Sequence, residues 1–271
     1  MLKHLTEEQL EVYRRDGAVS PVPLLSRREA GQYRRKFDEL EKAIGDEPQS
    51  RYRIKAHLPF PWLTELIHHP GLLDAIEDVM GPNLLVWGTS FFTKAARDPR
   101  FISWHQDSTY YGLEPPESVT AWIAFSDSTE DSGCMRFIPG SHNGSHILPH
   151  VEKHEPNNLL SRGQTIEGID ESIAKALPAR AGNFSIHHNK TIHSSEPNMS
   201  DDARIGFTVH FATPEIRQGQ FDGATATLVR GEDNVGNWLP DPVAKHDFDP
   251  DCLTALDNAW KRYRTAMKAQ V

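Results

Sequence analysis

The stretch NLLVWGTSFFTKA, residues 83–95, decides the fold class. Its β-branched and aromatic residues form a short run closed off by Gly-Pro before it and by Arg-Asp-Pro after it, which is the mark of a strand. The same texture returns in FISWHQDS (101–108), SVTAWIAFSDS (118–128), CMRFIPGSH (134–142), ARAGNFSIHH (179–188) and RIGFTVHFATP (204–214). Many short strands punctuated by Gly, Pro, Asn and Asp predict an all-β sandwich, barrel or jelly roll.

Upstream, residues 1–82 have helical spacing. Thr6 with Gln9, and Ser26 with Glu29, read as capping boxes. Leu5 and Leu10 flank the first box as a hydrophobic staple. The second helix carries Ala30, Tyr33, Phe37, Leu40 and Ile44 on one stripe. A third, GLLDAIEDVMGP (71–82), buries Leu72, Leu73, Ile76 and Val79. Residues 143–176 form a polar insertion without periodicity. After the jelly-roll core (83–230), a polar loop, 231–251, leads to a last helix with Leu253, Leu256 and Trp260 on one face. The expectation is one domain, 1–271, mainly β, with the helices of 1–82 and 231–271 packed outside the sheet.

The chain has 271 residues and a formal net charge of −9, enough length for a core without staples. An acidic balance argues against nucleic-acid or anionic-membrane partners, which require basic patches. Cys134 and Cys252 are the two cysteines and have no C-x-x-C spacing, so a reducing, cytoplasmic setting is expected. There is no apolar leader-like segment at the start and no run of roughly 18 apolar residues that would span a membrane. Oligomeric state is not readable.

Chemistry concentrates in SWHQDSTYYG (103–112). On a strand, residues i and i+2 share a face, so His105 and Asp107 are either an exposed ion pair or part of a metal site, with Gln106 turned away. H-x-D alone is weak. His193 lies downstream at the end of a candidate strand, and Arg204 opens the next one. Two histidines and a carboxylate make a facial triad suited to non-haem Fe(II), whereas zinc prefers a tetrahedral site with three protein ligands and water. A 2-oxoglutarate chelated to such an iron would need a fork-shaped cation for its far carboxylate, and arginine supplies one.

From residue 5 to about 217 the chain resembles the phytanoyl-CoA dioxygenase family of Fe(II)/2-oxoglutarate oxygenases. The resemblance rests on LTEEQLEVYRRDGAV, WHQD, TAWIAFSDSTEDSGCMRFIPGSH, AGNFSIHHNKTIHSSEPN and RIGFTVHF in that order. It implies a double-stranded β-helix (a cupin-like jelly roll) and a hydroxylase using Fe(II), 2-oxoglutarate and O₂ on a small-molecule substrate. It also implies His105, Asp107 and His193 as metal ligands and Arg204 with Ser195 at the cosubstrate carboxylate. Trp122 would be an aromatic wall, with Lys94 and Thr93 nearby. Gly88 and Phe92 stand where some relatives have polar cosubstrate contacts. Halogenating relatives lack the carboxylate ligand, so Asp107 favours hydroxylation.

Tyr110, Tyr111, His187 and His188 are candidate substrate contacts, each with a packing role as the alternative. His142 reads as structural, and His146, His150 and His154 as solvated loop residues rather than a second metal site. Trp238 either covers the site or packs. RYRIKAH (51–57) is the best basic stretch; it reads as a solvated face, with contact to an anionic group as the alternative. The expected substrate is a small polar or anionic metabolite such as a phosphonate, amino-acid-like or natural-product compound. The alternatives are acyl-CoA hydroxylation, a non-catalytic cupin-like binding protein, and a zinc hydrolase.

Overall fold

The computed structural model describes residues 1–269 except Ser145, Ser161 and Arg162, and its side chains through Ala266. Two sheets carry the fold. The larger has seven strands in the order Ala18–Pro23, Asn183–His188, Val119–Ala124, Arg204–Ala212, Leu84–Lys94, Thr225–Arg230 and Leu239–Pro240. All its neighbours are antiparallel except the last pair. The smaller has four antiparallel strands, Ile102–His105, His193–Ser195, Met135–Phe137 and Lys175–Leu177, in that spatial order.

Strand alternation gives the large sheet two chemically different faces. Phe184, Ile186, Ala121, Ile123, Phe207, Val209, Val86 and Phe91 join the main hydrophobic core. There they meet Phe37 and Leu40 of helix Arg27–Ile44, Leu72, Leu73 and Ile76 of helix Pro70–Met80, and Cys252 and Leu256 of helix Pro250–Ala269. Aromatic rings interlock the layers, with Phe91 5.1 Å from Phe37 and 5.3 Å from Phe207, each such pair worth about 1 kcal/mol beyond its buried area. The other face of the sheet looks toward the small sheet, and a pocket lies between them. Two facing antiparallel sheets enclosing a site, with helices outside, are the jelly roll expected from the strand texture.

Both capping boxes form, and Gly17 and Gly45 close their helices in the left-handed conformation. Val79 is only partly buried. The reading of residues 1–82 as helices alone is corrected by strand Ala18–Pro23, which adds to the sheet edge against Asn183–His188. Two prolines in it suit an edge position, where missing N–H donors cost little. A second correction concerns RYRIKAH. Lys55 and His57 are buried, and Lys55 Nζ sits 2.8 Å from Asp241 Oδ2, so the end of this segment is pinned inside by the 231–251 loop, while Arg51 and Arg53 stay exposed. Trp238 packs in the core and donates to Ile216 O at 2.7 Å. Both cysteines are buried free thiols. Among the described residues no helix is long and apolar enough to cross a membrane.

Candidate active site

His105 closes strand Ile102–His105, and its register partner across the small sheet is His193. His193 therefore opens a strand rather than ending one. Asp107 joins them by a route other than strand alternation. The strand stops at His105, and Asp107 has helical backbone angles (φ −56°, ψ −35°) at the head of the short helix Ser108–Tyr111. That turn swings its carboxylate back, so His105 Nε2 and His193 Nε2 stand 3.4 and 3.9 Å from Asp107 Oδ1. Gln106 is buried and ties the turn down, donating to Lys190 O and accepting from Leu148 N–H.

The donor set fits a metal. Cis ligands about 2.1 Å from one ion are roughly 3 Å apart, close to these separations. Each imidazole has its Nδ1 on a backbone carbonyl, Ser103 O for His105 and Thr191 O for His193, both at 2.9 Å. Donation from Nδ1–H fixes the tautomer and leaves the Nε2 lone pair facing the cluster. Burial, then the neighbouring His105, pushes the His193 pKa down to about 3, so its ring is neutral near pH 7. Burial alone would raise the Asp107 carboxyl, but hydrogen bonds from His105 and His187 and the field of His193 outweigh it and hold it well below the usual range. Among the described residues these three form the one such grouping of potential metal-ligating side chains.

The inner face of the large sheet supplies the opposite wall in two cross-strand rows. His187, Thr120 and His210 form one, and Ser185, Trp122 and Thr208 the other. Arg204 lies on the same face at the strand's start. It is 3 % exposed, and burial lowers its pKa only to about 10, so it stays charged. Its guanidinium lies 5.6 Å from the Trp122 ring and Nη1 donates to Gly133 O, while Nε has no partner. Among the described residues no carboxylate pairs with it. A buried, unpaired cation costs several kcal/mol, which a bound anion would offset.

Ser195 lines the pocket, and its Oγ accepts from Lys94 Nζ at 2.7 Å. Lys94 also donates to the Ser195 and Glu196 carbonyls, and burial, then Arg204's field, pulls its pKa down to about 6. Lys94 thus works through Ser195 rather than from the pocket wall. Thr93 lies behind it, its N–H bonded to Gln49. Phe92 lines the pocket, whereas a Cβ at Gly88 would crowd Ile54 O and the His210 ring.

The substrate candidates separate. Tyr111 and His187 line the metal pocket, with His187 Nε2 3.4 Å from Asp107 Oδ2. Tyr110 faces an adjoining cleft, its ring 5.9 Å from His105. His188 is not in the pocket: as the next residue on the strand it points the other way, 3.1 Å from Glu117. His142 is buried and bonds to Arg14 O. His146 and His154 are exposed, but the expectation of a solvated His150 is corrected. It accepts from the Gln106 N–H and meets the Thr109 hydroxyl, clamping the insertion onto the helix after Asp107. The sequence reading missed His210, Thr120, Thr208 and Ser185. Counting in twos from Arg204 reaches 206, 208 and 210, and that alternation was the available signal.

A phytanoyl-CoA dioxygenase (PhyH) family model matches residues 13–206, more than half of the chain. The chain belongs to this family. It is accordingly a dioxygenase of the non-haem iron class that uses 2-oxoglutarate. Phytanoyl-CoA dioxygenase domain-containing protein 1 of Mus musculus is 34 % identical over 224 residues, covering 79 % of this chain and 70 % of that protein. A probable alpha-ketoglutarate-dependent hypophosphite dioxygenase of Stutzerimonas stutzeri is 27 % identical, covering 73 % and 71 %. The structure of the non-heme monooxygenase ThoJ in its apo form superimposes with a TM-score of 0.84 at 33 % identity, covering 96 % of this chain and 98 % of that one. The family's jelly roll is the double-stranded β-helix described above.

Proposed function

We propose that the chain hydroxylates an unactivated C–H bond of a small polar or anionic metabolite, releasing succinate and CO₂. In this reading His105, Asp107 and His193 hold Fe(II), and Arg204 with Ser195 holds the far carboxylate of 2-oxoglutarate. The observation that carries it is the buried Arg204 guanidinium, charged and, among the described residues, without a carboxylate partner, on the wall of the same pocket as the His105 and His193 imidazoles and the ionised Asp107. The whole chain acts as one catalytic domain, because its helices share the core with the large sheet.

When bound, iron, 2-oxoglutarate and O₂ supply an oxidant strong enough for an unactivated C–H bond. The chain's own residues bind, orient and exclude water. Arg204 offers a planar fork to a carboxylate. Ser195, whose Oγ lone pair is engaged by Lys94, has its hydroxyl hydrogen left to donate to the same carboxylate. Trp122 covers the guanidinium and keeps water off that contact. His187 stands at the Asp107 oxygen that faces away from His105, and Tyr111 hydrogen-bonds to the same carboxylate; both steady it.

The test is anaerobic addition of Fe(II) and 2-oxoglutarate, watched through the visible charge-transfer band of a chelated keto acid. The wild type should show the band and His105→Ala should lose it. Arg204→Gln should need at least tenfold more 2-oxoglutarate for half its amplitude. No band from folded wild-type protein would sink the assignment and favour a non-catalytic binding protein. Activity that persists without O₂ would point instead to hydrolysis.

A further inference from the structure

The metal pocket is small, about 60 Å³, and a cosubstrate reaching from the triad to Arg204 would fill it. A second cleft of about 350 Å³ adjoins it, sharing Phe92 and Tyr111 as lining residues. That volume is in the range of cavities that hold drug-sized molecules. Besides residues of strand Leu84–Lys94, its walls come from Arg53 of the segment ahead of that strand, Leu160 of the insertion and Trp260 of the C-terminal helix.

The charges along this cleft are unevenly paired. Glu47 and Arg100 neutralise each other at 2.8 Å, and Arg100 also grips Asp98 at 2.6 Å. Arg53 is different. Among the described residues no carboxylate lies within ion-pair reach of it. Its guanidinium sits 5.3 Å from the Trp260 ring centroid, and Nε donates to Ser50 O at 3.2 Å. Stacking on an indole and one backbone bond restrict the orientation of the guanidinium plane, which leaves Nη donors for a ligand.

We propose that this cleft takes an amphipathic organic anion. Its apolar body lies against Trp260 and Leu160, its carboxylate or phosphonate sits on Arg53, and its reacting C–H enters between Phe92 and Tyr111. The inference rests on the iron reading above only for the direction in which the substrate points. The charge logic of the cleft stands without iron.

The experiment uses the iron-free protein and a series of ω-phenylalkanoates, their neutral amides and their CoA thioesters, read by quenching of tryptophan fluorescence. Acids should quench saturably, with amides at least tenfold weaker. Trp260→Phe should remove most of the signal. Arg53→Gln, at an exposed position that the fold tolerates, should weaken acids about tenfold and leave amides unchanged. Amides binding as well as acids, binding by thioesters alone, an unchanged Arg53→Gln, or no acid binding anywhere in the series would each overturn the proposal. The visible band is measured in parallel on wild-type protein with Fe(II) and 2-oxoglutarate. A band without acid binding overturns the cleft alone, whereas acid binding without a band supports the cleft and overturns the iron assignment.

Discussion

Gly206 shows how one missing side chain shapes the pocket wall beside Arg204. A Cβ on it would fall inside the Trp122 indole, against Cζ2, Cε2 and Nε1. The indole can therefore lie flat across the Arg204–Ala212 strand and beneath the Arg204 guanidinium only because residue 206 is glycine. Gly206→Ala must tilt the ring away, since neither the strand backbone nor a fused ring can yield by the distance required. The stacking contact, worth about 1–2 kcal/mol when desolvated, is lost while His105, Asp107 and His193 across the pocket are untouched. The expected outcome is a roughly tenfold rise in the 2-oxoglutarate needed for half of the visible band, with Fe(II) affinity unchanged. Equal 2-oxoglutarate titrations for variant and wild type would show that the indole has no part in that contact.

At the scale of elements, the strands were legible because apolar alternation and turn residues act over a few neighbouring positions. NLLVWGTSFFTKA became strand Leu84–Lys94, and both capping boxes formed where Thr6 and Ser26 announced them. Elements fixed by distant partners were less legible. AVSPVP pairs with a segment some 165 residues away, so nothing local declares it a strand. The Asp107 turn is held by Gln106 reaching Lys190 and Leu148, which no spacing within WHQD reveals. Lys55 looked like a surface residue in a basic run until the 231–251 loop brought Asp241 to it. The Lys55–Asp241 pair is about 1–2 % exposed and is shared with Thr225 O and Thr227. Lys55→Met leaves a buried carboxylate unpaired and should cost about 3–5 kcal/mol. The double variant Lys55→Met/Asp241→Leu, which removes both charges, should be more stable than Lys55→Met. Urea unfolding midpoints decide this, and a double variant worse than the single would mean that Thr227 and His57 hold the Asp241 carboxylate favourably without Lys55.

Across the whole molecule, the jelly roll packs many imidazoles into its interior, and that sets how the fold responds to acid. Burial pushes His57 and His193 down to about 3 and His188 and His210 to about 4. In the unfolded chain the same rings titrate near 6.5. Between roughly pH 6.5 and 4 the unfolded state therefore holds protons that the folded state refuses. Stability is fully present above about pH 6.5 and falls as the pH drops through that window. Each such histidine removes about 1.4 kcal/mol per pH unit. Two of them acting over a single unit would remove about 3 kcal/mol, a large part of the ~5–15 kcal/mol that holds a typical domain folded. Metal-free protein unfolded in urea at pH 7.5, 6.5, 5.5 and 4.5 should show a flat limb and then a steep one. His188→Gln lies outside the metal pocket and should flatten the steep limb by about one proton. A stability that stays level from pH 7 to 5 would mean that these rings take up protons in the folded state as readily as in water. The Nε2 lone pair of His193 would then have to compete with protons for a metal ion well above the pH at which burial makes it available.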